Sequence, residues 1–241
     1  MKYYYDLHIH SDLSPCASED MTPSNIVNMS YIKGLNIISV TDHNTTENLP
    51  SFLQLCDNRG IKFIPGIEVT TKEEVHALCY FMKLDRAMDF GRLIYDSLPD
   101  IKNIPSIFGQ QNIYNNKDEV TGTLDKLLLS ASGYSLEEVC SLAHKHCGTM
   151  IPAHINKKSN SVLGILGFIP PGLKINFVEI HSKSEINEKV IKKYNIIKNS
   201  DAHYLTDISE AVNSIELNNA DEIYKYLFIN SLLNDCGTEG S

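Results

Sequence analysis

Two histidines, His8 and His10, are separated by one residue in the stretch DLHIHS near the start of the chain. In an extended strand alternate side chains share a face, so both imidazoles would lie on one side while Leu7 and Ile9 pack on the other. Such a pair of nitrogens can bind one metal ion, but it also fits two partly buried histidines without a ligand role. The rest of the sequence has to decide between these interpretations.

Other residues with metal-binding side chains fall at or near the ends of strand-like segments. They are Asp42 and His43 after NIISV, Glu68 in KFIPGIEVT, His76 at the start of HALCYF, His154 at the end of TMIPAH, and Asp201 and His203 in NSDAH. Because the carboxyl ends of parallel strands meet at one edge of an α/β fold, we expect these side chains to converge. Glu68 lies in an apolar segment, where a carboxylate is costly to bury unless it is paired or bound to a metal. We expect Gly66, two residues earlier, to permit a close backbone approach or a kink.

The segments that would position these residues alternate between strand-like and helix-like patterns, which is typical of βα units. Strands are predicted at 3–8, 36–42, 62–70, 76–81, 149–154, 176–181 and 194–203. Helices are predicted from Thr22 and Pro23 to Gly34, at 47–59 before Gly60, at 85–97, from the capping box at Ser135 to Gly148, and at about 220–233. These elements amount to roughly seven βα units, which predicts an α/β barrel whose strands all point one way.

The length and composition of the chain favour a single domain. With 241 residues, 42% of them hydrophobic, the chain can bury a substantial core, so we expect one domain over residues 1–241. The strand–helix alternation is interrupted near 82–148, where Pro-, Asn- and Gly-rich sequence follows the helix at 85–97. We interpret this stretch as an inserted segment, and its part at about 85–134 as a candidate lid or substrate wall.

Charge and cysteine content indicate the kinds of partner and the location. A net charge of −9 without a stripe of lysines or arginines disfavours a long nucleic acid partner. A small phosphorylated substrate is compatible with this charge, because bound metal ions can reverse the local field in a cleft. Six cysteines without a CxxC pair indicate a reduced, cytoplasmic protein. No apolar stretch approaches the roughly 20 residues that cross a bilayer, so no membrane partner is expected; the oligomeric state is left open.

Five motifs in a fixed order resemble those of the PHP family, which is named for polymerase and histidinol phosphatase. They are DLHIHS, TDHN, GIEVT with a downstream EEVH, PAH and SDAH. The resemblance covers residues 3–81 and 149–206. It implies a distorted (βα)7 barrel of the PHP type that holds up to three metal ions, in a family of which many members hydrolyse phosphate esters.

The resemblance also implies a set of metal ligands. His8, His10, Glu68 and Asp201 would hold a first ion, Glu68 would bridge to a second ion bound also by His76 and His154, and His43 and His203 would belong to the remaining ion. One ligand is left open: Cys16 stands where some phosphatase members have a histidine, and Asp20 and Asp12 are the alternatives. Asp42 is expected to orient a neighbouring ligand rather than to bind metal. Two or three ions of zinc, manganese or iron fit such a site.

The implied reaction is hydrolysis of a small phosphate ester by attack of a hydroxide that bridges two metal ions. The chain has no GxSxG, GxxxxGK[ST] or GxGxxG motif, which favours water over a covalent intermediate. Glu68, Asp201 and His203 would be the catalytic residues, with Asp201 or His203 as a candidate proton donor to the leaving group. Three residues that follow candidate strands are either substrate contacts or ordinary surface residues: Lys157, His181 and Lys183.

Two other functions use similar parts. Amidohydrolase-type barrels also begin with HxH and hydrolyse C–N or lactone bonds, but the SDAH ending, the GIE strand and the PAH motif fit the PHP pattern better. A domain that binds metal without catalysis is the third interpretation. The presence of nearly every expected ligand argues against it.

Overall fold

A computed structural model describes residues 1–181 and 192–228, which form a mixed α/β fold. The strands are β1 (Lys2–Ile9), β2 (Ile37–Val40), β3 (Lys62–Phe63), β4 (Gly66–Thr70), β5 (His76–Phe81), β6 (Asn112–Tyr114), β7 (Val120–Thr123), β8 (Gly148–Pro152), β9 (Phe177–Glu179), β10 (Asn195–Ile197) and β11 (Ser214–Glu216). The helices are α1 (Pro23–Ile32), α2 (Leu49–Arg59), α3 (Leu84–Ser97), α4 (Pro105–Phe108), α5 (Leu136–Lys145), α6 (Val162–Ile165) and α7 (Glu222–Leu227). The end of the helix predicted at 220–233 lies outside the described residues.

Local sequence signals set the ends of three helices as predicted. Helix α1 has Thr22 as its N-cap with Pro23 in the first turn. Helix α2 ends at Gly60, whose φ of 67° is a left-handed conformation that glycine adopts without strain. Helix α5 begins with the predicted capping box: the Ser135 hydroxyl accepts from the Glu138 amide at 3.3 Å, and the Glu138 carboxylate accepts from the Ser135 amide at 2.8 Å.

The strands form several small sheets with both parallel and antiparallel pairs. Strands β1, β2 and β3 are parallel neighbours, and β11, which the sequence patterns did not indicate, pairs antiparallel with β1. Strands β9 and β10 form a parallel pair. Strand β5 pairs antiparallel with both β4 and β8, so the prediction that all strands point one way is wrong for this part of the fold. Residues 71–75, which join β4 to β5, are too few for a parallel crossover.

The single strand predicted over residues 62–70 is two strands. Strand β3 pairs with β2, whereas β4 pairs with β5, and Ile64 and Pro65 separate them. Proline has no amide hydrogen and restricts the residue before it, so the ladder of hydrogen bonds cannot run unbroken through this position. The break allows Glu68 to lie in a different sheet from β1 and β2.

Backbone hydrogen bonds join neighbouring sheets at the end where the candidate ligands lie. The His10 amide donates to the Ala202 carbonyl at 2.9 Å, and the Asn44 amide donates to the Glu68 carbonyl at 2.9 Å. A third bond of 2.9 Å runs from the Ile155 amide to the Glu179 carbonyl. These bonds bring the loops after β1, β2, β8 and β10 to one place.

The inserted segment between β5 and β8 has secondary structure of its own. It contains α3, the short α4 and the hairpin β6–β7. The Tyr114 hydroxyl on β6 donates to the Asp12 carboxylate at 2.5 Å, and the Asn44 side-chain amide donates to the Leu128 carbonyl at 2.8 Å. Asp12 follows β1 and Asn44 follows β2, so the segment is fastened to two loops that carry candidate ligands.

One core cluster joins the strands to the helices that cover them. It includes Ile9, Val40, Phe52, Ile67 and Phe90, each with 0% exposure. Burial of such side chains stabilises the fold by about 1.5–3 kcal/mol each. None of the helices in the described part of the chain has the length and apolar character that a bilayer crossing requires.

Candidate metal centre

The carboxylate of Glu68 lies at the centre of a ring of imidazoles. His76 Nδ1 lies 3.0 Å from Oε1, and Nε2 of His8 and of His154 each lies 3.3 Å from the same oxygen. His43 Nδ1 lies 3.1 Å and His10 Nε2 lies 3.3 Å from Oε2. Glu68 is 1% exposed, and within the described residues neither of its oxygens has a partner with hydrogen-bond geometry. Imidazole nitrogens here surround buried carboxylate oxygens that lack hydrogen bonds. A bound cation would satisfy both kinds of atom.

Three groups of side chains in the described chain have ligand atoms within 4.8 Å of one another. They are His8, His10 and Asp201; His43, Glu68 and His76; and His10, His43 and His203. His10 and His43 each belong to two groups, so the three groups form one cluster. Imidazole and carboxylate ligands suit zinc, manganese and iron, so the donor set fits metal ions without selecting one.

The backbone around Glu68 depends on a glycine. A Cβ atom on Gly66 would lie 2.4 Å from the Ser39 hydroxyl and 2.8 Å from the Thr41 side chain. Ser39 lies in β2 and Thr41 directly follows it, so Gly66 allows β4 to approach the end of that strand closely. This is the close approach expected from the sequence.

Two candidate ligands have backbone conformations that side chains rarely adopt. The φ angle is 28° at His154 and 56° at Asp201. Such conformations cost of order 1–3 kcal/mol, and they persist where the surrounding contacts hold them. Asp201 lies with Oδ1 at 3.2 Å from His8 Nε2 and 3.4 Å from His10 Nε2, while its Oδ2 pairs with the Lys157 ammonium.

Charges within the cluster shift the pKa values of its members. Burial by itself lowers the pKa of His10, but the neighbouring Asp201 and Glu68 carboxylates raise it to about 9. Burial and the charge of His10 lower the pKa of His203 to about 4. Despite burial, the imidazoles hold the pKa values of Glu68 and Asp201 below their usual ranges. Both carboxylates are therefore ionised at neutral pH, as cation binding requires.

A sequence profile of the PHP domain matches residues 6–228. The chain belongs to the PHP family. The mixed α/β fold and the clustered candidate ligands are the features of this PHP chain that bear on its chemistry.

Relatives of the chain include nucleases. A 5′-3′ exoribonuclease of Haemophilus influenzae is 31% identical over 70 residues, which are 29% of this chain and 24% of that protein. The lesion-specific endonuclease PfuEndoQ from Pyrococcus furiosus has a similar fold, with a TM-score of 0.70 and 22% identity over 94% of this chain and 56% of that one. An endonuclease Q complex with a 27-mer duplex that carries an abasic lesion at the active site aligns with a TM-score of 0.62 and 22% identity, over 85% and 50% of the two chains. The PHP chain thus spans about half or less of these proteins.

The expectation of a small phosphorylated substrate and no long nucleic acid is contradicted. Endonuclease Q, whose fold this chain shares, is seen with a DNA duplex as its substrate. The expectation failed because it used the net charge of −9, which sums over the whole surface. The field inside a cleft is set by the ions and side chains that line it, and those can attract a polyanion on an acidic protein.

In the PHP chain, hydrogen bonds connect Asp42 to two candidate ligands through Ser14. Its carboxylate accepts from the Ser11 amide at 2.7 Å, from the Ser11 hydroxyl at 2.6 Å and from the Ser14 hydroxyl at 2.7 Å. The Ser14 oxygen in turn lies 3.2 Å from His10 Nδ1 and accepts from the His43 amide at 3.1 Å. Asp42 thereby reaches two candidate ligands without touching either.

The three alternatives for the last ligand stay open. Cys16 and Asp20 are exposed, and Asp12 accepts hydrogen bonds from Tyr114 and Asn112. Among the described residues, none of the three belongs to the ligand groups given above. A ligand role for any of them remains a prediction.

The candidate substrate contacts have different surroundings. Lys157 lines a cavity of about 140 Å³ together with Glu68, Asp201, His203 and other candidate ligands. The His181 amide donates to the Asn156 side chain at 2.7 Å. Lys183 lies outside the described residues. Lys157 is therefore the candidate substrate contact that the structure places beside the candidate ligands.

Glu179, at the end of β9, is a site residue that the sequence interpretation missed. It is 2% exposed, and its carboxylate lies 3.0 Å from His8 Nδ1. The signal was present in the sequence, because NFVEIH places a carboxylate in an apolar strand in the same way as FIPGIEV does. The sequence interpretation selected His181 from that segment instead.

Proposed function

We propose that this PHP chain is a metal-dependent phosphodiesterase that cleaves phosphodiester bonds in nucleic acid. The observation that carries the proposal is the buried Glu68 carboxylate, with two unsatisfied oxygens among five imidazoles and Asp201 nearby. Membership of the PHP family and the nuclease relatives support a phosphoester substrate and a nucleic acid partner.

The predicted ligand assignment is retained as part of the proposal. His8, His10, Glu68, Asp201, His76, His154, His43 and His203 would hold two or three ions of zinc, manganese or iron. Ions bound there would lower the pKa of a water molecule and neutralise charge on the phosphoryl oxygens. Glu68 would offer its two oxygens to these ions, since no described residue gives either oxygen a hydrogen bond.

The side chains that line the cavity would bind the phosphate and move protons. Lys157 supplies an ammonium group beside Asp201, where it would bind a non-bridging phosphoryl oxygen. Because the pKa of His203 is about 4, its imidazole is neutral at pH 7 and can accept a proton. Asp201 or His203, both of which line the cavity, would take the proton that the attacking water releases and pass it to the leaving oxygen.

The finer features of the fold are also part of the proposal. We infer that residues 1–241 form one domain built on a distorted (βα)7 barrel. The backbone hydrogen bonds between sheets at the ligand end support this arrangement. The inserted segment at about 85–134 would form a wall along which a nucleic acid strand lies, since it is fastened to the loops after β1 and β2.

A cleavage assay with a substrate panel tests the proposal. Protein loaded with zinc, manganese or iron would be incubated with labelled RNA, single-stranded DNA, duplex DNA with an abasic site, and a dihydropyrimidine. We expect cleavage of at least one nucleic acid. Exclusive C–N cleavage would instead identify an amidohydrolase, and no turnover with any of the three metals would indicate a non-catalytic domain.

Asp201→Asn is the variant that ties the activity to this site. Loss of the carboxylate charge beside His8, His10 and Lys157 should lower the cleavage rate by about 100-fold or more. Asp207→Asn is the matched control, because Asp207 is exposed on the same loop and should leave the rate unchanged. Undiminished cleavage by Asp201→Asn would mean that the activity resides elsewhere.

A further inference from the structure

Three hydrogen-bond donors converge on the buried carboxylate of Glu179. His8 Nδ1 lies 3.0 Å from Oε1 and 3.1 Å from Oε2. The Asn199 side-chain amide donates to Oε1 at 2.8 Å, and the His154 backbone amide donates to Oε2 at 2.8 Å. Because each partner approaches a carboxylate, which only accepts, His8 must carry its proton on Nδ1 to take part.

This position of the proton determines which nitrogen of His8 is available to a metal ion. A neutral imidazole has one proton, so a hydrogen on Nδ1 leaves the lone pair on Nε2. His8 Nε2 is the atom that lies 3.3 Å from Glu68 and 3.2 Å from Asp201. In the singly protonated form of His8, which is the form that binds metal, the nitrogen that faces the cluster is therefore the unprotonated one.

The same carboxylate also holds a second candidate ligand. His154 has a φ of 28°, and its amide is fixed by Glu179 Oε2. Asn199 ties this arrangement back to β1, because its side-chain oxygen accepts from the Leu7 amide at 2.9 Å. Glu179 thus connects β1, β9 and the residues after β8 and β10 at the point where His8 and His154 enter the cluster.

We propose that Glu179 is a positioning residue, which fixes the proton of His8 on Nδ1 and presents Nε2 to a metal ion. Metal-bound histidines commonly donate their other ring nitrogen to a carboxylate, and loss of that partner typically costs 10–100-fold in metal affinity. The inference rests on the metal site of the proposed function. It does not depend on which substrate the site hydrolyses.

Metal affinity of Glu179→Gln is the first test. A glutamine places an NH2 group where one of the three donors needs an acceptor, so the His8 proton is no longer fixed. Competition with a chromophoric chelator should show zinc binding weakened by about 10–100-fold. Glu216→Gln, an exposed change on β11, is the control and should bind zinc as the unchanged protein does. Affinity within twofold of the unchanged protein would overturn the inference.

Nitrogen NMR of the unchanged, zinc-loaded protein is the second test and needs no variant that could misfold. The ring signals of His8, assigned through His8→Gln, should show a proton on Nδ1 and zinc on Nε2. The opposite arrangement would overturn the inference. Since both measurements report metal binding, an absence of nuclease activity would count against the proposed function while leaving this inference intact.

Discussion

A single hydroxyl, that of Ser14, connects three groups of the candidate site. It donates to Asp42 at 2.7 Å, lies 3.2 Å from His10 Nδ1 and accepts from the His43 amide at 3.1 Å. An oxygen with one hydrogen and two lone pairs is fully used by this arrangement. His10 is then expected to keep its proton on Nδ1 and to present Nε2 to the cluster, in the same sense as His8.

Ser14→Ala tests this connection. The change leaves the buried His43 amide without its acceptor, which should lower the free energy of unfolding by about 1–3 kcal/mol. It also frees the His10 ring, so zinc binding should weaken. Urea unfolding and a chelator competition measure the two effects, with Ser106→Ala on the exposed face of α4 as the control. Unchanged zinc affinity in Ser14→Ala would show that the serine does not orient the ligands.

At the scale of elements, two of the polar contacts of the hairpin β6–β7 reach Asp12, in the loop after β1. The Tyr114 hydroxyl and the Asn112 side-chain amide both donate to the Asp12 carboxylate, at 2.5 and 2.6 Å. Burial raises the pKa of Asp12, and these two hydrogen bonds partly offset the effect. Asp12 follows His10 by two residues, so the hairpin and the first ligand loop are held in a fixed relation.

Tyr114→Phe should loosen the inserted segment without unfolding the domain. Loss of one hydrogen bond costs on the order of 1 kcal/mol, so hydrogen exchange should accelerate within residues 105–125 and little elsewhere. If this segment is the wall for nucleic acid, KM should rise while kcat is retained. Tyr204→Phe, at a side chain that is 57% exposed, is the control. An unchanged KM would exclude the segment from substrate binding.

The elements were predictable to the extent that their signals are local. The N-cap at Thr22, the glycine at the end of α2 and the capping box at Ser135 depend on neighbouring residues alone, so the sequence indicates them. Pro65 is itself a signal for a break in the strand. The apolar residues on both sides of it nevertheless led to the prediction of one continuous strand. The antiparallel course of β5 follows from partner choice across the fold, which a pattern of apolar residues does not encode.

For the molecule as a whole, the candidate ligands converge although they are spread from His8 to His203. Their common position at strand ends was enough to predict this convergence. The contacts that orient them were not predictable in this way, because Ser14 and Glu179 act through hydrogen bonds set by tertiary packing. Composition was least informative, since the net charge led to the wrong partner.

The stability of the whole molecule should respond to pH in the presence of a chelator. The folded-state pKa of His10 is about 9, above its unfolded value of about 6.5, and that of His8 is raised in the same direction. A raised histidine pKa stabilises the fold fully below pH 6.5, and this contribution is lost as the pH rises toward 9. In the folded protein His43 and His203, whose pKa values are lowered, stay neutral across that window.

Chelated protein should therefore lose stability on the order of 2 kcal/mol between pH 6.5 and 8.5. The stability of the zinc-loaded protein should instead increase with pH, because zinc binding displaces those protons and strengthens as the pH rises. Thermal unfolding in excess EDTA or in excess zinc at three pH values measures both trends. His10→Asn should reduce the slope in EDTA, whereas His144→Asn, with a lowered pKa outside the cluster, should keep it. Chelated protein that becomes more stable over this range would contradict the charge arrangement described for His8, His10, Glu68 and Asp201.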